Sequence, residues 1–137
     1  MLKNKKGFTL VELLAVIVIL AIILAIAVPG ITGIISTAKK GSFESDVKMI
    51  ITGIEYKLLE STVNDGADKP VVHAAAVTDE TGLAELANYG ADPANYTSFQ
   101  ITSLAPVTIS ITSAETSEFD SWIATGAKKS SVTATEN

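Results

Sequence analysis

Three residues near the start of the chain carry chemistry that their surroundings do not. They are Gly7, Phe8 and Glu12, in the run Gly7-Phe8-Thr9-Leu10-Val11-Glu12. From Phe8 to Ile35 only Thr9, Glu12 and Thr32 are polar, and from Leu13 to Val28 every side chain is hydrocarbon. An acidic side chain in mid-membrane costs about 2.5–3.5 kcal/mol on insertion scales, so a carboxylate there needs a partner. Lys3, Lys5 and Lys6 lie ahead of the run, where the positive-inside tendency keeps them at the cytoplasmic face. Cutting the chain after Gly7 supplies the missing cation. Phe8 then carries a free ammonium group at the depth of Glu12 on a slightly shifted neighbour.

The element that must position these groups is a helix. Leu, Ile, Val and Ala occupy every face of a helix drawn through Phe8 to Ile35, leaving no single stripe for a soluble core. That segment would measure about 42 Å as an α-helix, against a hydrocarbon thickness of about 30 Å. It is long enough for one membrane pass. Pro29 lacks an N–H and loses the hydrogen bond to the Ala25 carbonyl, so a kink is expected at Pro29-Gly30, with local unwinding as a second reading. An ordinary secretory signal is the competing interpretation. Ala25-Ile26-Ala27 offers a small-x-small site that would release a chain starting at Val28. Glu12 interrupts the region that a signal needs continuously apolar, and the apolar run continues past the site through Ile31, Ile34 and Ile35.

Gly7-Phe8-Thr9-Leu10-Val11-Glu12, after a short lysine-bearing leader and before an apolar helix, resembles the processing motif of type IV prepilins and type II secretion pseudopilins. The resemblance covers roughly the first 35 residues. It implies that a membrane aspartyl peptidase cuts after Gly7 and methylates the new amine on Phe8. It also implies that Glu12 pairs with the Phe8 amine of an adjacent subunit during assembly, and Pro29 matches the family's helix proline. The chain has no cysteine, whereas many Gram-negative pilins staple a C-terminal loop with a disulfide, and the head is short. Both features point toward a Gram-positive major type IV pilin.

The rest of the 137-residue chain has room for one further domain. The expected organisation is a leader at 1–7, a membrane or filament-core helix at 8–35 and a head at 36–137. Phe43, Val47, Ile50, Ile51, Ile54 and Leu58 recur at helical spacing, with charged residues on the other faces. This predicts that the helix continues to about Thr62 with its stripe facing a core, and that Asn64-Asp65-Gly66 ends it. A loop, with an extended piece at Pro70 to Val72, leads to a short helix around Leu83, Leu86 and Ala87, capped by Thr81 and closed by Gly90. Tyr96 to Leu104 and Val107 to Thr112 alternate around Ala105-Pro106 and predict an antiparallel hairpin covering the long helix. Thr112 to Glu115 reads as a capping box. Phe119, Trp122 and Ile123 then predict a helix stopped by Gly126, with a strand through Phe119 to Thr125 as the alternative. The tail from Lys128 adds an edge strand around Val132 or stays loose. The fold class is α+β, a long N-terminal helix packed on a small antiparallel sheet, as the resemblance to type IV pilins also implies.

Enzymatic signals are missing. His73 is the single histidine, flanked by Val72 and Ala74, and no cysteine exists to complete a metal or nucleophilic constellation. Asp65, Asp68, Asp79 and Glu80 lack the spacing of a calcium loop and read as solvated turns. Asn95-Tyr96-Thr97 is a glycosylation sequon, a pattern too common to carry weight. The head has about two acids for each lysine, which argues against general nucleic-acid binding and leaves Lys128 and Lys129 as solvated charges. The reading is a non-enzymatic filament subunit without cofactor or metal. The resemblance implies as partners its own copies, the prepilin peptidase, the assembly platform with its ATPase, and the cytoplasmic membrane. Its location would be that membrane, head outside, before assembly and a surface pilus afterwards. Adhesion, twitching motility or biofilm roles are implied by family. The alternatives are a pseudopilin of secretion or DNA uptake and a secreted or membrane-anchored protein that is not a pilin.

Overall fold

The computed structural model describes residues 7–63, 76–77 and 80–137, with side chains described outside 76–81. Helix α1 spans Leu10–Val63. The chain divides into two compact units, Met1–Thr37 and Ala38–Asn137. In the first, the described residues are positions 10–37 of helix α1 and the non-helical Gly7, Phe8 and Thr9 that precede it. Its large apolar side chains are exposed from Phe8 to Ile35, as uniform apolarity requires of a helix with no protein around it. This segment is long and apolar enough to cross a membrane.

In the second unit the character of α1 changes at the expected place. Phe43, Val47, Ile50, Ile51 and Ile54 are fully buried, while Leu58 is half-buried. Each fully buried side chain of this size contributes about 1.5–3 kcal/mol. They pack with a five-stranded antiparallel sheet in the order β1-β2-β3-β4-β5. The strands are β1 (Ala76–Val77), β2 (Tyr96–Leu104), β3 (Val107–Ser113), β4 (Trp122–Ala127) and β5 (Thr135–Glu136). The hairpin β2-β3 matches the alternation in the sequence. Phe99 pairs with Ile111 and Ile101 with Ile109, and all four are buried in the core shared with α1. Its turn contains the cis Ala105-Pro106 peptide.

Between β1 and β2 a short helix α2, Glu80–Leu83, passes into a 3-10 segment, Ala84–Tyr89. Leu83 and Leu86 are buried, and Gly90 closes the segment in the left-handed region (φ 91°), donating to the Ala87 carbonyl at 3.2 Å. Thr81 lies inside α2 rather than at its cap, because the helix already begins at Glu80. The expected turn at Asn64-Asp65-Gly66 and the extended piece at Pro70 to Val72 fall outside the described residues.

The expected helix after Thr112 is corrected by the structure. Thr112 and Ser113 end β3, and Trp122 and Ile123 belong to β4, the strand alternative. The physical reason is the buried Ser113 hydroxyl, which accepts the Trp122 N–H at 2.8 Å and donates to the Asp120 carbonyl. It closes a turn that Asp120 enters with φ 60°, and the returning chain pairs with β3 at Ile123 and Ala124. Phe119 still enters the core, but from the turn, edge-on to Phe43 at 5.8 Å. The tail pairs with β4 at Thr135 and Glu136, later than the expected strand around Val132.

Polar contacts fasten this C-terminal part to α1. Lys39 meets Asp120 at 2.7 Å, Lys129 meets Glu55 at 2.9 Å, and the Ala134 N–H donates to Glu44 at 3.1 Å. The Tyr96 hydroxyl donates to Asp46. Burial first, and the nearby Glu118 charge, push the Asp46 carboxyl up against the lowering effect of that bond. Burial and Asp46 push the Tyr96 phenol far above its ordinary range, so it stays a donor. A fragment from Ser36 to Asn137 is expected to be a soluble folded monomer showing both helix and strand by circular dichroism. Disorder, or a need for detergent, would refute the assignment of the amphipathic stripe to this core.

Candidate functional site

The groups singled out by the sequence lie at the start of α1, but only Glu12 among them is engaged, with Thr9. Gly7, Phe8 and Thr9 are not helical, and the first α-helical bond runs from the Leu13 N–H to the Thr9 carbonyl at 3.2 Å. Thr9 is therefore the residue before the first helical position, and Glu12 lies three residues on. The Glu12 N–H donates to Thr9 Oγ1 at 3.3 Å. Glu12 Oε2 in turn accepts from the Thr9 N–H at 2.8 Å and from Thr9 Oγ1 at 2.7 Å. This reciprocal arrangement is a capping box, which satisfies backbone donors that a helix start leaves unpaired.

Sequence reasoning placed Glu12 but missed this box. Its signal, Thr9-x-x-Glu12 directly before an apolar run, was available. A carboxylate in an apolar run calls first for a cation, whereas here the local backbone and hydroxyl of Thr9 satisfy it. Phe8 stands free, 92% exposed. A Cβ built on Gly7 meets nothing within 4 Å, so packing gives no reason for glycine there.

Further along, α1 continues through Pro29 without a break. The Thr32 hydroxyl donates to the Pro29 carbonyl at 3.0 Å and the Thr37 hydroxyl to the Gly33 carbonyl at 3.0 Å. Gly30 has open space where a side chain would be. Among the described residues no group of three or more His, Asp and Glu side chains could hold a metal. His73, Asp65, Asp68 and Asp79 lie outside the described residues, as does the side chain of Glu80. Lys129 is occupied with Glu55.

This helix start can present a peptide bond outside the helix, and it holds one carboxylate within an apolar surface. Residues 2–28 match the prokaryotic N-terminal methylation motif. The match spans the Gly7-Phe8 junction, the capping box and most of the apolar segment. The methylation motif indicates a precursor of the type IV pilin or pseudopilin type, a structural family that is generally non-enzymatic. The motif implies processing by a prepilin peptidase and assembly into filaments, and with the apolar helix it suggests membrane anchoring. The long helix packed on a small antiparallel sheet has a type IV pilin-like α+β architecture. No curated protein and no solved structure matches the chain.

Proposed function

We propose that this chain is the precursor of a structural subunit of a type IV pilus. Residues 1–7 are a leader removed by the peptidase, 8–35 are a helix that moves from the bilayer into the filament axis, and 36–137 are the head. Gly7 and Phe8 form the cleavage site, Phe8 is N-methylated, and Glu12 registers an incoming subunit by pairing with a Phe8 amine. Pro29-Gly30 is where the helix bends. One observation carries this reading: the methylation motif coincides with the lone carboxylate of the segment 8–35, whose large apolar side chains are exposed on every face.

A fibre needs a contact between different surfaces, repeated by a helical operator, because two-fold contacts close on themselves. A helix apolar all round can meet neighbours on any side. Assembly then depends on a platform and an ATPase, and the product is a surface filament on a chain that first sat in the cytoplasmic membrane. The second reading, a pseudopilin of secretion or DNA uptake, shares the motif. It is distinguished by whether long surface fibres contain this chain as their main component.

The maturation step tests the reading directly. Mass spectrometry of the surface protein should show a chain beginning at Phe8 and bearing an N-methyl group, and Gly7→Leu should leave the leader attached. A mature chain beginning at Val28 would instead establish ordinary secretion.

A further inference from the structure

A peptide bond inside a helix has its backbone groups engaged and its chain coiled, whereas a protease must reach the carbonyl carbon from outside. Here the helix stops short of the Gly7-Phe8 bond by two residues, and the stop is built from named contacts. Thr9 Oγ1 takes the Glu12 N–H, and Glu12 Oε2 takes the Thr9 N–H and hydroxyl. Among the described residues, nothing in the packing of Gly7 or Phe8 would keep them out of a helix. Phe8 is exposed, and Gly7 has open space around it. Gly7 is itself a residue tolerated before a helix start. Without the box, the boundary is free to move upstream and draw Phe8 into the first turn.

We propose that Thr9 is a positioning residue for the peptidase step, acting with Glu12 to hold the Gly7-Phe8 bond in non-helical backbone. This rests on the reading of the chain as a prepilin. In the step itself water adds to the Gly7 carbonyl carbon and the bond to the Phe8 nitrogen breaks. That nitrogen leaves with a proton, giving a Gly7 carboxylate and a Phe8 ammonium. Thr9 touches none of these atoms. It sets how much of the substrate is in the conformation that can be bound.

A substrate only partly in its competent conformation binds more weakly in proportion, with the chemical step unchanged. Thr9→Ala, which has no oxygen to cap with and favours helix, is therefore expected to raise KM about fivefold and to leave kcat alone. Thr9→Ser retains the capping box and is expected to restore the wild-type KM, and Glu12→Gln, whose neutral amide keeps the box with a weaker acceptor, is expected to fall between wild type and Thr9→Ala.

The experiment measures initial rates of cleavage of the full-length chain by a prepilin peptidase in detergent for these four proteins. NMR backbone shifts of Gly7 to Thr9 are recorded on the same samples. A raised KM for Thr9→Ala, with helical shifts at Phe8 and rescue by serine, supports the proposal. Wild-type kinetics for Thr9→Ala overturn it, and so does slower cleavage without a change of backbone at Gly7 and Phe8. If the wild type itself is not cut after Gly7, the prepilin reading falls as well.

Discussion

Glu12→Ala is expected to empty the sheared surface fraction of this protein while leaving it in the membrane. In the uncut chain the described partners of the Glu12 carboxylate are the hydroxyl and N–H of Thr9. Under the proposed maturation, cleavage after Gly7 would place a cation on Phe8, and a subunit displaced slightly along the axis could bring that cation to the carboxylate. Opposite charges a few ångströms apart, with lipid or packed helices around them, attract many times more strongly than in water. Loss of this attraction should lower incorporation by at least about tenfold. Insertion should persist or improve, because the helix becomes more apolar. Cleavage should proceed more slowly, since the capping box is also lost, but should reach completion over a growth period. The check compares membrane-bound and sheared surface fractions of wild type and mutant, alone and co-expressed. A mutant that enters surface fibres as readily as the wild type would show that the pairing of Glu12 with the Phe8 amine does not register subunits.

Gly53→Ala is expected to be the most damaging small substitution in the head. A Cβ at Gly53 would lie 2.5 Å from the Tyr89 carbonyl oxygen, 2.8 Å from its Cα and 2.9 Å from its carbonyl carbon. All three are backbone atoms, so no side chain can swing aside. The 3-10 segment would have to retreat from α1, opening the contact of Leu86 and Tyr89 with the core. Overpacking of this kind costs about 1–3 kcal/mol or more. Alanine regains roughly 1 kcal/mol of helix propensity, which is too little to offset it at a backbone contact. Gly41 supplies the control, because it lies on the same helix with nothing within 4 Å of a built Cβ. Gly41→Ala should stabilise by up to about 1 kcal/mol. Thermal melting of the 36–137 fragment should then fall on the order of 10 °C for Gly53→Ala and rise for Gly41→Ala. Equal melting of Gly53→Ala and wild type would mean that the contact with Tyr89 is not tight in solution.

Much of this was legible in the sequence because long periodic segments leave few alternatives. The change in α1 from all-round apolarity to the stripe Phe43, Val47, Ile50, Ile51 and Ile54 separates a segment without protein cover from one that is buried. The hairpin followed from alternation about Ala105-Pro106. Phe119, Trp122 and Ile123 misled because three apolar residues at i, i+3 and i+4 fit either a helical face or a turn feeding a strand. What decided between them was a buried hydroxyl, Ser113, whose bonds are made to residues seven and nine positions away. No local pattern shows such a bond. At the helix start the difficulty ran the other way. The motif for a capping box was present at both Thr9 and Thr112, and only at Thr9 does the chain go on into a helix.

The outer strand β5 of the sheet, Thr135–Glu136, is two residues long. A strand that short offers too few free backbone groups to template another chain, which is how natural sheets avoid sticking edge to edge. Heads crowded side by side along a fibre would otherwise be at a concentration where cross-pairing competes with order. In a pilus of the proposed kind growth would then not run through this edge, and a filament that is taken apart would return subunits whose β5 edges had never exchanged partners.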